Sequence, residues 1–469
     1  MSELARLYNK IMDKTARVCI VGLGYVGLPT AVGFAEQGYM VTGADRMDRV
    51  VERVNAGHCH FKDVDLDRRV MRAVSEKKLI ATKDTTTAVR ESDVVLIMVP
   101  TPVTPDKRPD LLPVIAAGED IARGLSPGKL VVLESTVYPG VTEEVLKPIL
   151  EQSGLVAGED FGLAHCPERF NPGDTEHTIA DVVRVIGAIT PEWASVTAEL
   201  YRKIVKDTFL VKDIKTAEAA KVIENIQRDL NIALMNEFAL IFERMDIDVM
   251  DVINAASTKW NFNRYNPGAG VGGHCLPVDP YYLVTKAEEL GYHSRVITAG
   301  RTVNDSMPLH IFDLLVDGLN EREKALKNSK IVVMGFSYKE NVGDAREAPA
   351  ITLTEELLKR GAVIHILDPY LEKSSLDRYG IAEQDLYKTL SGADALVLMT
   401  AHAEYRALDL KRVKELMQTP VIVDGRRIYD RDEAIALGFT YKGVGAPGGK
   451  PRSSARPVAA PGTEKEVIV

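Results

Sequence analysis

The sequence predicts an α/β protein in which two doubly wound domains are joined by a central helical domain with a long helix. Three observations support this prediction. A glycine-rich turn follows the first apolar strand pattern, and a second series of strands and helices begins at Lys330. Between them, apolar residues recur at helical spacing over residues 213–245. Strands that alternate with helices are typical of parallel sheets covered on both faces.

The N-terminal region begins with a predicted short helix at residues 1–14 and a first strand at 18–21. The turn Gly22-Leu23-Gly24-Tyr25-Val26-Gly27 follows, and a helical pattern then leads to a second strand at 40–44. This succession is typical of a Rossmann-like domain, whose glycines allow a tight turn and whose helix N-terminus receives a dinucleotide pyrophosphate.

Asp45 ends the second predicted strand, 18 residues after Gly27. An acid about 20 residues after the glycine motif binds the ribose hydroxyls in such domains. A carboxylate there would repel the extra phosphate of NADP, so Asp45 favours NAD as the cofactor. Arg46 argues the other way, because an arginine at this place can accept that phosphate.

Two continuous apolar runs, 93–99 and 130–134, predict strands buried on both faces. They lead into Thr101 and Thr136. Ligands of doubly wound sheets bind at the carboxyl ends of the strands, which favours both threonines as cofactor neighbours. The alternative is that each hydroxyl caps the following helix.

Polar residues of two further segments could bind a ligand. Glu168 and Arg169 lie in a loop after a strand pattern, and a solvated loop is the ordinary interpretation. Lys221, Asn225 and Arg228 share one face of the long helix at 213–245. That face either meets solvent or binds a ligand, because a polar stripe on so apolar a helix needs partners.

Cys275 follows three glycines at positions 270, 272 and 273 and precedes Asp279. If residues 275–279 open the next helix, its dipole would favour a nucleophilic thiolate. The alternative is a buried structural cysteine after a glycine turn.

The second α/β half has strands predicted at 330–335, 363–367, 395–399 and 421–423. Phe336-Ser337-Tyr338 stands where the first half has its glycine motif. This half is therefore not expected to bind a dinucleotide in the same way. Residues 446–469 are rich in Pro, Gly, Ser and charge, and are expected to be disordered.

Composition excludes several classes of partner. The 469 residues carry a net charge of −9, which predicts no bulk attraction to nucleic acid. No apolar run reaches the ~18 residues of a membrane span, and the N-terminus lacks a signal-peptide core. Four scattered cysteines suit a reducing, cytoplasmic location and predict no metal site.

The glycine motif, the long helix and above all the run Gly272-Gly273-His274-Cys275-Leu276-Pro277-Val278-Asp279-Pro280-Tyr281-Tyr282-Leu283 resemble the UDP-glucose/GDP-mannose dehydrogenase family. The resemblance covers residues 15–445 and is strongest to the branch that oxidises UDP-N-acetylhexosamines. It implies an NAD-binding domain at 1–205, a central helical and dimerisation domain at 206–325, a UDP-sugar-binding domain at 326–445 and a tail at 446–469.

The resemblance also implies roles for individual residues. Catalytic roles fall on Cys275, Lys221, Asn225, Asp279, Glu168 and Thr136. Cofactor contacts fall on Gly22, Gly24, Tyr25, Val26, Gly27, Asp45, Arg49, Thr101, Thr136 and Arg346. Substrate contacts fall on Arg169, Phe170, Lys221, Asn225, Arg228, Lys259, Arg264, Gly272, Tyr338, Lys339 and Arg426. Either Lys259 or Arg264 would reach the substrate of a neighbouring subunit, and Arg427 is the alternative to Arg426.

The implied reaction is a four-electron oxidation of sugar carbon 6 by two NAD, through a cysteine thiohemiacetal and thioester, for cell-surface polysaccharide or glycan biosynthesis. His274, Val278 and Pro172 resemble the acetamido-sugar branch, with the epimer left open. The alternatives are a UDP-glucose 6-dehydrogenase, a single-step hydroxy-acid dehydrogenase and a non-catalytic nucleotide sensor. A homodimer or larger homo-oligomer through the central helix is expected.

Overall fold

The computed structural model describes residues 2–61, 63–169 and 180–448, which form two compact units. The first unit comprises Met1–Asn225 and Val278–His293, and the second comprises Ile226–Pro277 and Ser294–Val469. The boundary divides the segment 206–325, so the four-part division predicted from the sequence stays a prediction. Phe170, Pro172 and residues 449–469 lie outside the described residues.

The strands and helices follow one another along most of the described chain. The strands are β1 Arg17–Val21, β2 Met40–Ala44, β3 Leu79–Thr82, β4 Val94–Ile97, β5 Leu130–Leu133, β6 Gly162–His165, β7 Arg184–Ala188, β8 Thr208–Leu210, β9 Lys330–Met334, β10 Val363–Leu367, β11 Ile381–Glu383, β12 Ala395–Leu398, β13 Val421–Asp424 and β14 Thr440–Gly443. The helices are α1 Glu3–Met12, α2 Gly27–Glu36, α3 Asp48–Asn55, α4 Val64–Ser75, α5 Thr85–Arg90, α6 Leu112–Gly124, α7 Lys147–Leu150, α8 Pro191–Tyr201, α9 Ile214–Arg244, α10 Val249–Ala256, α11 Asp279–Glu289, α12 Arg295–Asn320, α13 Pro349–Lys359, α14 Leu386–Leu390, α15 Ala403–Arg406, α16 Leu410–Leu416 and α17 Arg431–Ala436.

The first unit contains a sheet of order β3-β2-β1-β4-β5-β6-β7-β8, in which only the β6–β7 pair is antiparallel among the described strands. Successive residues of β1 pack into two hydrophobic cores, one on each face of the sheet. Val18 and Ile20 pack on one face of the sheet, and Cys19 and Val21 pack on the other. Burial on both faces explains why the strands read as continuous apolar runs.

The second unit repeats the arrangement with a parallel sheet of order β11-β10-β9-β12-β13-β14. The likeness extends to individual hydrogen bonds. Asp93 accepts a hydrogen bond from the N–H of Arg17 at 2.9 Å, and Asp394 accepts one from the N–H of Lys330 at 3.0 Å. The predicted pair of doubly wound α/β halves is therefore confirmed.

The two halves differ in the acid that ends the second strand of each. In the second half this acid is Asp368, whose Oδ2 accepts from the N–H groups of Phe336 and Ser337 at 2.8 and 2.7 Å. The Ser337 hydroxyl and His402 Nε2 lie against the same oxygen, at 2.5 and 3.1 Å. Asp368 is thus engaged by its own turn, which gives a physical reason to expect no dinucleotide there.

Helix α9 runs for 31 residues, within one residue of its predicted limits at each end. Its length follows from apolar residues at helical spacing with no internal glycine or proline. None of the helices among the described residues is both long and apolar enough to cross a membrane.

Candidate active site

Of the three glycines in the turn after β1, only Gly24 has open space beside its backbone. A Cβ on Gly22, whose φ is +97°, would lie 2.6 Å from the Met98 carbonyl oxygen, and one on Gly27 would lie 1.8 Å from that of Gly22. A Cβ on Gly24 would meet nothing within 4 Å. Gly22 and Gly27 therefore satisfy the packing of the turn, and Gly24 keeps the backbone accessible to a pyrophosphate.

Helix α2 begins at this turn and leaves its N-terminus electrostatically suited to an anion. Its N-cap, Val26, contributes no side-chain hydrogen bond, and the first turn contains no acidic residue. The unpaired N–H groups and the helix dipole favour a phosphate at this place. Tyr25 beside the turn stacks on Phe61 at 4.3 Å between ring centroids. The residues present therefore fit a bound dinucleotide.

Asp45 lies at the end of β2, directly beside the turn. Its two oxygens accept from the N–H groups of Leu23 and Met47, each at 3.0 Å. A carboxylate has about four acceptor positions, so capacity for ribose hydroxyls is left. Arg46 and Arg49 are exposed.

Asp45→Ala should raise the dissociation constant for NAD about tenfold, which corresponds to about 1.4 kcal/mol. Binding of NADP should change less, because only NAD gains from the ribose contact. Fluorescence titration of each cofactor measures both effects. Asp48→Ala is the matched control, since Asp48 is exposed and pairs with Lys83 at 2.7 Å. An unchanged preference in the Asp45 variant would place this carboxylate away from the ribose.

A hydrogen bond between Thr101 and Thr136 joins the segments that follow β4 and β5, and their contact with a cofactor stays a prediction. Thr101 Oγ1 donates to the Thr136 carbonyl oxygen at 2.8 Å. The hydroxyl of Tyr282, on α11, donates to the Thr101 carbonyl oxygen. Helix α11 is therefore fixed against the edge of the sheet where a cofactor is expected.

Asp279, the first residue of α11, meets Asn225 of α9. Asp279 is 2% exposed, and Asn225 Nδ2 donates to its Oδ2 at 2.5 Å. Burial raises the pKa of Asp279 to about 6, although the charge of Lys221 and the amide of Asn225 both lower it. A carboxylate with such a pKa can exchange a proton near neutral pH. Sequence reasoning chose these residues but could not show this contact.

The expectation that Cys275 opens a helix is wrong. Helix α11 begins at Asp279, four residues after Cys275 along the chain. Pro277 explains the difference, because the residue before a proline is pushed out of the helical conformation. A helix dipole acts within the first turn, so the dipole of α11 gives no support for a thiolate at Cys275. Cys275 is half-buried and in the reduced form.

The glycines before Cys275 lie against segments of the same unit. A Cβ on Gly272 would lie 2.7 Å from the Glu347 carbonyl oxygen, and one on Gly273 would lie 2.7 Å from the Tyr338 ring. The N–H of Gly273 donates to the Arg346 carbonyl oxygen at 3.0 Å. The glycine loop is therefore shaped by close packing on residues 338–347.

Arg346, predicted to contact the cofactor, is held beside His274. Its guanidinium pairs with Asp344 at 2.6 Å, and Nη2 lies 3.1 Å from His274 Nδ1. A guanidinium can only donate, so Nδ1 is the acceptor and the proton of neutral His274 is on Nε2. The cofactor contact of Arg346 stays a prediction.

Buried polar side chains of α9 and α12 support the start of the glycine loop. Asn236 Oδ1 accepts from the N–H of Gly268 at 2.8 Å, and Asn236 Nδ2 donates to Asn304 Oδ1 at 2.8 Å. Asn304 Nδ2 donates in turn to Asp229 Oδ1 at 2.8 Å, which Arg301 binds at 2.6 Å. Sequence reasoning missed this series of hydrogen-bonded side chains. The signal that could have found it was polar residues inside apolar helical patterns.

The candidate substrate residues of the second unit differ in how they are engaged. Arg427 binds Asp248 at 2.7 Å and the Val444 carbonyl oxygen at 3.0 Å, so it has a structural role. Arg426 donates through Nε to the Met399 carbonyl oxygen at 2.7 Å, and is the better candidate. Arg264 binds Asn254 at 2.8 Å. Arg228, Tyr338 and Lys339 are half-buried, and Lys259 is exposed.

Glu168 is buried, which argues against the solvated-loop interpretation. It is 7% exposed, and its Oε1 accepts from the N–H of Arg169 at 2.7 Å. The Arg169 guanidinium pairs with Glu224 at 2.6 Å, next to Asn225 in α9. The first unit thus supports Glu168, Asn225 and Asp279 with ordered polar contacts.

Comparison with known proteins gives matches over most of the chain. Family models match three segments: the NAD binding domain of the UDP-glucose/GDP-mannose dehydrogenase family over residues 16–205, its central domain over 215–306 and its UDP binding domain over 332–431.

Individual relatives match over nearly their whole length. UDP-N-acetyl-D-glucosamine 6-dehydrogenase of Pseudomonas aeruginosa is 38% identical, over 90% of this chain and 99% of the relative. NDP-N-acetyl-D-galactosaminuronic acid dehydrogenase of Ralstonia solanacearum is 35% identical, over 88% and 96%. The solved structure of UDP-D-ManNAc dehydrogenase from Pyrococcus horikoshii superposes with a TM-score of 0.85 at 35% identity, covering 92% of this chain and all of that one.

Proposed function

The chain belongs to the UDP-glucose/GDP-mannose dehydrogenase family of NAD-dependent nucleotide-sugar dehydrogenases, and we propose that its substrate is a UDP-N-acetylhexosamine. Carbon 6 of the sugar would be oxidised from alcohol to carboxylate. The observation that carries the acid–base part of this chemistry is the contact of Asn225 with the buried Asp279, whose pKa the nearby Lys221 also influences.

In the first step, Lys221 or an ordered water takes the proton of the sugar hydroxyl. NAD, when bound, accepts the hydride in each of the two oxidations. Cys275 then captures the aldehyde as a thiohemiacetal. Loss of the second hydride, with the hydroxyl proton passing again to Lys221 or the ordered water, leaves a thioester on Sγ. Covalent capture divides a difficult oxidation into two easier steps.

In the last step, water attacks the thioester carbonyl. Glu168 and Asp279 handle the protons of this water, and Lys221 and Asn225 donate to the oxyanion that develops. Such positioned donors act mainly on the transition state. The C–S bond breaks, its electron pair returns to Sγ, and the acid leaves as a carboxylate.

Two kinds of support favour an acetamido sugar. His274 and Val278 match that branch in the sequence, and three relatives are named for UDP-N-acetylglucosamine, UDP-D-ManNAc and NDP-N-acetylgalactosaminuronic acid. A site built for an acetamido group leaves buried polar groups unpaired when a hydroxyl sugar binds, at about 1–3 kcal/mol per group. The epimer and the role in cell-surface polysaccharide biosynthesis stay predictions.

A panel of UDP-sugars tests the proposal. We expect kcat/KM for one of UDP-N-acetylglucosamine, UDP-N-acetylmannosamine and UDP-N-acetylgalactosamine to exceed that for UDP-glucose by at least about tenfold. Two NADH should form per sugar oxidised. UDP-glucose matching all three would make the chain a UDP-glucose 6-dehydrogenase. One NADH per substrate would indicate a single-step dehydrogenase, and none would indicate a nucleotide sensor.

The homodimer predicted through the central helix stays a prediction. Leu234, Ile241 and Met245 lie exposed along the second-unit part of α9 and at its end, at 43%, 44% and 58% exposure. An apolar stripe of this kind favours a contact with another chain. Sedimentation velocity measures the mass of the protein in solution, which distinguishes a monomer from a homodimer or a larger homo-oligomer.

A further inference from the structure

A cluster of four polar side chains is buried in the first unit beside Glu168. Arg184 begins β7, Glu134 follows β5, Tyr201 ends α8, and Glu168 follows β6. The Arg184 and Glu134 side chains are 0% exposed, and that of Glu168 is 9% exposed. Charges at this depth are costly unless they are paired and hydrogen-bonded. The bonds within the cluster indicate what it does.

Arg184 divides its guanidinium between two carboxylates. Nη1 donates to Glu134 Oε2 at 3.1 Å and lies 3.4 Å from the Pro167 carbonyl oxygen, while Nη2 donates to Glu168 Oε2. The hydroxyl of Tyr201 donates to the other oxygen of Glu134 at 2.5 Å. Tyr201 and Arg184 thus hold both oxygens of Glu134, so this carboxylate has a fixed orientation.

This arrangement fixes both oxygens of the Glu168 carboxylate. Its Oε2 accepts from Arg184, and its Oε1 accepts from the N–H of Arg169. Because Glu134 occupies Nη1, Arg184 reaches Glu168 through one nitrogen only, instead of the bidentate pair that arginine and a carboxylate prefer.

The Glu134 carboxylate depends on its two partners. Burial raises the pKa of Glu134 to about 7, against the charge of Arg184 and the hydrogen bond of Tyr201, while the charge of Glu168 raises it further. Loss of either Arg184 or Tyr201 would favour the protonated form of Glu134. This form carries no charge, so it competes less strongly with Glu168 for the Arg184 guanidinium.

We propose that Arg184 and Tyr201 are positioning residues for the hydrolysis step: aligned by Glu134 and Tyr201, Arg184 orients the Glu168 carboxylate to take a proton from the water that attacks the Cys275 thioester. This inference rests on the role given to Glu168 in the proposed function. Water adds to the thioester carbonyl as its proton passes to Glu168, and the C–S bond then breaks with its electron pair returning to Sγ. No other redox partner is needed, because both hydrides have already left.

The test compares Tyr201→Phe and Arg184→Lys with the parent, using Glu168→Gln as the reference. Tyr39→Phe is the matched control, because Tyr39 is a fully buried tyrosine of the same core whose hydroxyl binds the Ile11 carbonyl oxygen at 2.8 Å. Each protein is mixed rapidly with NAD and UDP-N-acetylglucosamine, or with the preferred sugar of the panel. NADH is followed by absorbance, and quenched enzyme is weighed by intact mass spectrometry.

We expect both variants to release a full burst of two NADH per active site and then turn over slowly, with an acyl adduct accumulating on the enzyme. The steady-state rate should fall about tenfold for Tyr201→Phe and about a hundredfold for Arg184→Lys, with kcat/KM changing less than about twofold, because slower hydrolysis lowers kcat and KM together. Tyr39→Phe should hydrolyse its thioester at the parental rate.

Two results would overturn the inference. Hydrolysis in Tyr201→Phe as fast as in Tyr39→Phe would show that the cluster does not act on Glu168, and a reduced burst with no adduct would indicate a purely structural role. The comparison of Tyr201→Phe with Tyr39→Phe tests the role of the cluster even if Arg184→Lys fails to fold. If Glu168→Gln itself turns over without an adduct, the hydrolysis step of the proposed function fails, and the inference fails with it.

Discussion

Cys275→Ser is expected to abolish conversion to the acid while leaving cofactor binding intact. A serine hydroxyl is far less nucleophilic than a thiolate near neutral pH, so the aldehyde would no longer be captured covalently. We expect acid formation to fall at least about a thousandfold, with no more than one NADH per sugar. Mass spectrometry of the product and the NADH stoichiometry measure this result.

Cofactor binding provides the internal check on this variant. The residues that fit NAD, from Gly22 to Asp45, do not include position 275. The NAD dissociation constant of Cys275→Ser should therefore equal that of the parent. Cys19→Ala removes a fully buried thiol from β1 and is the control for loss of a cysteine as such. Acid produced by the serine variant at near the parental rate would refute the thioester scheme.

The sequence predicts the sheets well because their strands are continuous apolar runs between turn residues. The predicted bounds of β2 and β10 agree with the structure, and α9 agrees within one residue at each end. Strands β3, β7, β8, β11 and β14 were not predicted. Strands β8 and β11 are each three residues long, and all of their side chains are half-buried or exposed, so neither gives a clear pattern.

The candidate site is harder to predict, because its contacts join residues that are far apart in the chain. Asn225 and Asp279 are separated by 54 residues, and Glu134 and Arg184 by 50. The spacing of residues within a single helix or strand cannot predict such a pair. The start of α11 was mispredicted for a local reason, since Pro277 stops the helix from extending back to Cys275. Motifs therefore identified the residues, and only the structure identified their partners.

Asp279→Asn is expected to lower activity at least about a hundredfold, because a proton acceptor is lost from the site. The same change should stabilise the fold at pH 7.5. The pKa of Asp279 is about 6 against an ordinary 3.8, so burial opposes the ionised form more than Lys221 and Asn225 support it. A shift of one pKa unit corresponds to 1.36 kcal/mol, which gives a gain on the order of 1–3 kcal/mol for a neutral isostere.

The pH dependence of this gain has a definite sign. Between about pH 4 and pH 6 the folded chain holds the Asp279 proton and the unfolded chain has lost it. The contribution of Asp279 to stability is therefore complete below about pH 4 and is lost as the pH rises through about 6. The stability difference between Asp279→Asn and the parent should be largest above pH 6 and should shrink towards pH 4.

Thermal unfolding at pH 4.5 and 7.5 measures this difference, with a midpoint about 2 °C or more higher for Asp279→Asn at pH 7.5. Asp344→Asn is the control of opposite sign. Burial raises the pKa of Asp344, but hydrogen bonds from Arg346 outweigh burial and hold it below its ordinary value. Its ionised form is therefore stabilising, and Asp344→Asn should lower the midpoint at pH 7.5. An Asp279→Asn variant that melts below the parent at pH 7.5 would mean that Lys221 and Asn225 outweigh burial, and that Asp279 is an ordinary ion-pair partner with no pKa near neutrality.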